Sequence, residues 1–316
     1  MPDVVPAFRL AAPAKINVFL EVLGRRSDGF HELVTCMLPL EWADELTFSA
    51  ADQLTLTCDD PSLPVDASNL VLKAALALQH ATGTKQGAAI HLTKRIPSPA
   101  GLGGGSSDAA TTLRGLDQLW KTQLREPELQ RLAATIGSDV PFFLAGSAAW
   151  CRGRGEVVEP IAPGISLPLL VICPAAGLST AAMYQSLQAP PVDVGKHQAM
   201  TEKAMSEALR MKSLESISQA LFNRLQPVAE RCLPLVGELR QLFDHAASQG
   251  LCLGSLMSGS GSSYFVVCRD HAEAQRLARW TELHWEGGVQ TTSMGTTRPT
   301  TDSTDRLLRL HVTCTR

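Results

Sequence analysis

Between Pro97 and Ala110 the chain reads PSPAGLGGGSSDAA, which sets Gly101, Gly103, Gly104 and Gly105 just ahead of Ser106, Ser107 and Asp108. Glycine loses more backbone freedom on folding than any other residue. A tight turn needs one or two glycines. Four of them strip the segment of side chains and leave a row of backbone N–H groups. Beyond it, Ala109, Leu113, Leu116 and Trp120 fall at helical spacing. Bare backbone at a helix N-terminus suits phosphate oxygens. Neither common phosphate fingerprint fits, because Ser106 stands where the third Rossmann glycine belongs and no Gly-Lys-Ser/Thr closes a Walker A loop. Ser106 and Ser107 can also cap the helix, and Asp108 suits its positive end. Capping leaves the glycines unexplained.

Phosphoryl transfer needs a phosphate cradle, a cation near the developing charge, and a group to take the hydroxyl proton. Asp139 is the best candidate for that last task. It follows a helix break at Gly137 and precedes Pro141 and the apolar run FFLAG, a poor setting for an idle carboxylate. It could equally be the N-cap of a short helix, with Ser138 competing for the position. Lys15 shares a strand face with Asn17, opposite Ile16, Val18 and Leu20. Taken alone, a lysine there reads as a solvated strand residue.

The surrounding elements follow from pattern. KINVFLEV alternates as a strand, and further strands are expected at LVTCMLPL, DELTFSA, QLTLTC and AAIHLTKRI. GRRSDGFHE carries Asp-Gly turn chemistry. A helix starts near Ser68-Asn69 and closes at Gly83; another covers about 126–136. The order strand, glycine loop, helix puts the loop at a helix start. After a break near EPIAPGISLP come a strand at LPLLVIC, helices near 179–187, 201–226 and 233–248, strands at LCLGSLM, YFVVC and VQTTSM, and a helix at HAEAQRLARWTEL. This reads as two α+β halves, residues 1–163 and 164–296. The threonine-rich remainder, 297–316, reads as a mobile tail.

Composition narrows the function classes. The chain has 316 residues, 45% of them hydrophobic, with a formal charge of -3. No basic excess points to nucleic acid or a membrane surface, and no apolar run approaches the ~20 residues that span a bilayer. The eight cysteines form no CxxC pair, so the expectation is free thiols in a reducing cytoplasm, with no protein-built metal site. Nothing signals an obligate protein partner.

Four stretches, in order, resemble the GHMP kinases, the small-molecule kinases named after galactokinase and the homoserine, mevalonate and phosphomevalonate kinases. PSPAGLGGGSSDAA resembles their second signature, and LMSGSGSSYF the third. APAKINVFLEVLGRRSDGFHEL and IGSDVPFFLAGSAAWCRGRGE resemble the first and catalytic segments of the branch whose substrate carries a cytidine diphosphate. The resemblance implies the α+β GHMP-kinase fold, with a ribosomal-protein-S5-domain-2-like N-terminal half and a ferredoxin-like C-terminal half. It implies ATP, bringing Mg2+ with it, bound along Pro99, Ala100, Gly101, Leu102, Gly103, Gly104, Gly105, Ser106 and Ser107, with adenine near Asn69 and Lys94. It further implies that Asp139 is the base and Lys15 its partner, and that Asn17, Phe30, His31, Thr180 and Tyr184 bind the substrate. Phe30 stands where the family more often has tyrosine, which keeps a stacking face and loses a hydroxyl. Two alternatives share these features: a mevalonate- or homoserine-type kinase, and a non-catalytic nucleotide-binding module.

Overall fold

The computed structural model describes residues 6–98, 100–162, 164, 166–187, 194–286, 288–291 and 307–316. Strand alternation at the N-terminus extends well beyond KINVFLEV. Strand β1 (Phe8–Arg25) pairs antiparallel with β2 (His31–Ala51), which joins in one strand the two segments expected separately. The turn between them is pinned by the Arg26 N–H donating to the Phe30 carbonyl. Gly29 there takes φ +86°, a conformation that glycine alone adopts freely.

Around this pair stand β3 (Leu54–Cys58), β4 (Gly87–Thr93), β5 (Ala149–Gly153), β6 (Val157–Pro160) and the short β8 (Phe222–Asn223). They make a seven-stranded sheet of order β3-β4-β2-β1-β8, with β5 paired to β2 and β6 to β5. The long β2 serves β4 with its C-terminal part and β5 with its N-terminal part. Helices α1 (Leu70–Thr82), α2 (Gly104–Trp120), α3 (Glu126–Ile136) and α4 (Val140–Ala145) belong to the same half. Leu113 and Leu116 of α2 are fully buried in one core with Leu46 and Phe48 of β2, each such side chain stabilising the fold by about 1.5–3 kcal/mol. That packing fixes where α2 begins, and with it the glycine loop.

The second sheet has the order β11 (Val289–Thr291), β12 (Leu308–Cys314), β7 (Pro168–Pro174), β10 (Tyr264–Val267), β9 (Gly254–Met257). Its helices are α5 (Thr180–Ser186), α6 (Val194–Met211), α7 (Leu214–Gln219), α8 (Gln226–Cys232), α9 (Pro234–Ser248) and α10 (His271–His284).

Two expectations need correction. The single helix over 201–226 is α6, α7, β8 and the first residue of α8. Lys212 at φ +55° ends the first piece, the Ser213 hydroxyl caps the second, and Phe222–Asn223 pair in parallel with β1. The C-terminal residues are also no tail: β12 pairs with β7 and β11 inside the second sheet. Buried Leu308 and Leu310 carry the alternation, and the polar run ahead of them masked it. Residues 297–306 lie outside the described residues.

Candidate active site

The glycine loop is the hub. Helix α2 starts at Gly104, and its N-cap position is Gly103, at φ +72° and with no side chain to cap it. Ser106 and Ser107 therefore lie inside the first turn instead of capping it. Gly101, at φ +71°, abuts a second glycine-serine loop between β9 and β10: a Cβ there would meet the Ser258 carbonyl oxygen at 2.6 Å. The Ser258 hydroxyl donates to the Gly101 carbonyl at 3.3 Å. Backbone-to-backbone approach of the two loops is possible only without side chains.

Lys15 enters from β1 below this junction. Its backbone N–H donates to the Leu102 carbonyl at 2.9 Å. Nζ donates to the Gly101 carbonyl at 2.8 Å and to Asn17 Oδ1 at 2.6 Å. The side chain is 4% exposed, and Asp139 Oδ2 stands 3.9 Å from Nζ. Burial pushes the ammonium below its usual pKa, while Asp139 pulls it back up. Asn17 is itself fixed, since Nδ2 donates to Thr35 Oγ1 at 2.7 Å and Thr35 Oγ1 donates to the Phe19 carbonyl at 2.7 Å. So the strand face of Lys15 and Asn17 is turned into the site and not to water.

Asp139 occupies the N-cap position of α4 yet makes no side-chain cap. Its carboxylate is 37% exposed, facing the cleft and Lys15. Of the two readings open from sequence, the geometry favours an available carboxylate over a structural cap.

A cleft of about 1090 Å³ gathers these groups. Ala100, Gly101, Gly103, Gly104, Gly105 and Ser106 of the glycine loop line it, together with Lys15, Asn17 and Asp139 and with Phe30, His31, Thr180 and Tyr184. There the His31 and Tyr184 rings stack, centroids 5.1 Å apart, and Thr180 Oγ1 is 2.8 Å from Ser260 Oγ. Burial, with Arg25 nearby, lowers the His31 pKa from its ordinary value. Burial and then Asp139 raise that of the Tyr184 phenol.

Several expected nucleotide contacts have other partners. Asn69 caps α1, accepting from the Val71 N–H at 2.9 Å and donating to the Pro64 carbonyl at 2.7 Å. Lys94 is buried between Asp44 and Asp108, at 3.0 Å from Asp108 Oδ2. Asp108 thus serves Lys94 and not the helix dipole. Burial, partly offset by Lys94, pushes the Asp108 carboxyl up to about 7. Asp44 also accepts from the Arg95 and Ile96 N–H groups, at 2.5 and 2.8 Å. The three side chains tie β2, the β4–α2 segment and α2 together beneath the loop. Leu102 and Ser107 are buried, and Ser107 Oγ has no hydrogen-bond partner. Pro99 lies outside the described residues.

Sequence reasoning missed Thr35, Ser258, Asn223 and Asp44. Asn223 Nδ2 donates to the Met257 and Gly259 carbonyls, both at 2.8 Å, shaping the second loop from more than 30 residues away. The quoted SGSGSS run was the only available signal for that loop. The others act by long-range pairing.

The chain is similar to known proteins over most of its length. A family profile described as the GHMP kinases N terminal domain matches residues 69–147, and one for the GHMP kinases C terminal matches 205–282. The chain belongs to the GHMP kinases, ATP-dependent phosphotransferases acting on small molecules. A 4-diphosphocytidyl-2-C-methyl-D-erythritol kinase from Gloeobacter violaceus is 40% identical over 271 residues, covering 85% of this chain and 88% of that one. One from Alcanivorax borkumensis is 39% identical over 289 residues, 89% of each chain. A crystal structure of 4-(cytidine 5'-diphospho)-2C-methyl-D-erythritol kinase superposes with TM-score 0.72 at 32% identity, covering 98% of this chain and 100% of that one. A homoserine kinase from Cytophaga hutchinsonii, 21% identical with TM-score 0.68 over 90% of this chain and 91% of its own, shares the fold. Among the described residues no helix is long and apolar enough to cross a membrane.

Proposed function

We propose that this chain phosphorylates the 2-hydroxyl of 4-diphosphocytidyl-2-C-methyl-D-erythritol with ATP, a step of the non-mevalonate route to isopentenyl diphosphate. The observation that carries the reading is the meeting of Lys15 and Asp139, 3.9 Å apart, between a bare phosphate loop and an aromatic-histidine pocket in one cleft. Gly101, Gly103, Gly104 and Gly105 cradle the triphosphate through backbone N–H groups. The cytidine end lies against Phe30, His31 and Tyr184, where a ring face and an imidazole's hydrogen-bonding nitrogens suit a pyrimidine. Asn17 positions the methylerythritol unit.

Asp139 takes the hydroxyl proton as the oxygen bonds to the γ-phosphorus, the β–γ bridging P–O bond breaks, and ADP leaves with its electron pair. Lys15 holds a positive charge at the reacting oxygen, supported by the Gly101 carbonyl and Asn17. A nucleotide-borne Mg2+ fits the loop end: Ser106 lines it, and the buried Ser107 Oγ beside it lacks a partner. Such an ion needs few protein ligands and neutralises phosphate charge when bound. A cytoplasmic setting is supported by eight unpaired cysteines, five of them buried.

The test is ATP consumption with 4-diphosphocytidyl-2-C-methyl-D-erythritol, mevalonate or homoserine as acceptor. Turnover confined to the first supports the proposal. Preference for either other acceptor replaces it with another GHMP kinase activity, and ATP binding without turnover on any acceptor replaces it with a nucleotide-binding module.

A further inference from the structure

Phe30 projects from the β1–β2 turn and is 49% exposed, an unusual state for a ring asked to serve as a stacking wall. A phenyl ring so exposed has little packing to hold its orientation. One group covers it: the Arg154 guanidinium lies 4.7 Å from the ring centroid, a cation–π distance.

Arg154 comes from the β5–β6 connection and is held at Nη2 and Nε, with its face toward the ring. Nη2 donates to the Ala134 carbonyl at 3.2 Å, Nε is 3.6 Å from Glu156 Oε1, and the Arg154 backbone N–H donates to Glu156 Oε2 at 2.6 Å. Ala134 is near the end of α3, the helix that leads through Gly137 to Asp139. A chain of contacts therefore runs from the aromatic end of the cleft to the segment carrying the candidate base. The turn is stiffened on its own side by Arg26, paired with Asp28 at 3.1 Å and Glu32 at 2.6 Å. Across to the β5–β6 connection, its ring contact is Arg154.

We infer that Arg154 is a positioning residue for the alcohol substrate: its guanidinium clasps the Phe30 ring, bolting the β1–β2 turn to the β5–β6 connection so that the open face of the phenyl meets the substrate's base. With Nη2 held by the Ala134 carbonyl and Nε near Glu156, the guanidinium is oriented with its face toward Phe30, through which Arg154 acts. A phenylalanine at position 30 has no hydroxyl to anchor itself, so the Arg154 contact bears on its ring face alone. The inference rests on the proposed substrate.

A cation–π contact at a partly exposed site contributes ~0.5–1 kcal/mol, which converts to roughly two- to fivefold in an equilibrium constant. Arg154→Met keeps the length and loses the charge; Arg154→Lys keeps a cation. In the ligand-free protein, Arg154→Met should speed amide hydrogen exchange at Gly29 and Phe30 by about two- to fivefold, and Arg154→Lys should restore part of the protection. With ATP saturating, the KM for 4-diphosphocytidyl-2-C-methyl-D-erythritol should rise by a similar factor, while that for ATP does not. Combined with Phe30→Leu, the loss should be less than the product of the two single losses. Unchanged exchange in Arg154→Met, or multiplicative losses in the double variant, would overturn the clasp. Should the wild-type protein fail to turn over this substrate, the substrate assignment falls and the exchange experiment still decides the clasp.

Discussion

Asp139→Asn separates catalysis from structure, because the two roles predict changes of very different size. The carboxylate makes no side-chain cap to α4, so the substitution removes no cap hydrogen bond. What it removes is a pairing at 3.9 Å with Lys15, on a carboxylate 37% exposed. A pair with one partner so open to water contributes ~0–1 kcal/mol. Lys15 keeps its bonds to Asn17 and the Gly101 carbonyl, and its buried ammonium can shed a proton instead of unfolding the chain. The melting temperature should therefore fall by no more than about 2–4 °C. Loss of a general base lowers the rate by roughly 10²–10⁴, or about 2.7–5.4 kcal/mol in barrier. Single-turnover phosphoryl transfer at saturating ATP, beside a thermal melt of the same sample, reads both. Turnover within tenfold of wild type would refute the base assignment. A rate loss matched by collapse of the melting transition would show Asp139 to be structural.

Gly105→Ala is the cleanest probe of the cradle: its Cβ would meet only Leu70, at an ordinary 3.4 Å, so the fold should hold while the KM for ATP rises about tenfold, the weight of one charge-assisted hydrogen bond. Gly101→Ala should instead lower the melting temperature, because its Cβ falls 2.6 Å from the Ser258 carbonyl oxygen at a positive φ. Lys15 has its folded-state pKa below the unfolded one, so protonation opposes folding and its contribution to stability improves as pH rises through that lowered value. The rate should show the reverse, falling on the alkaline side below pH 10.5, and Asp139→Asn should move the Lys15 ionisation observed by ¹⁵N NMR lower still. His311, stacked on Trp42 at 4.1 Å, is pushed down to about 4 by burial. Stability it contributes should be lost as pH falls from 6.5 toward 4, and His311→Phe should flatten that limb of a melting curve against pH.

Local chemistry made much of this molecule legible in the sequence. The alternation at KINVFLEV, the Asn69 cap, the Gly83 stop and the α3 boundaries all depend on neighbours within a few residues, and the observed elements agree with them. Errors arose where distant partners decide. Phe222–Asn223 form a strand only because the edge of β1 is available, inside a stretch whose composition reads as helix. Leu308–Cys314 alternates as a strand, but its place in the sheet comes from β7, over a hundred residues earlier. Lys94 is the clearest case at the site: its partners Asp44 and Asp108 sit 50 and 14 positions away, and nothing local distinguishes it from a lysine that reaches a ligand.

The four glycines turn out to answer two different demands. Gly101 and Gly103 both have positive φ and no space: a Cβ would strike the second loop's backbone at one and the Phe143 ring, at 2.8 Å, at the other. These two let α2 start beside β1 and bring the Gly101 carbonyl onto Lys15. Gly104 and Gly105 have ordinary helical backbone, and the nearest atoms to their Cβ positions are side chains at 3.2–3.4 Å. Packing would tolerate alanine at Gly105, so what a Cβ there would fill is the cleft itself, at a helix N-terminus. The same logic extends to Gly259, where a Cβ would crowd Lys15 Nζ at 3.1 Å and Asn17 Oδ1 at 3.2 Å. Bare backbone on both loops is thus what admits the Lys15 ammonium to the junction, where Asp139, 3.9 Å away and 37% exposed, is its carboxylate partner and leaves the pair open to the cleft.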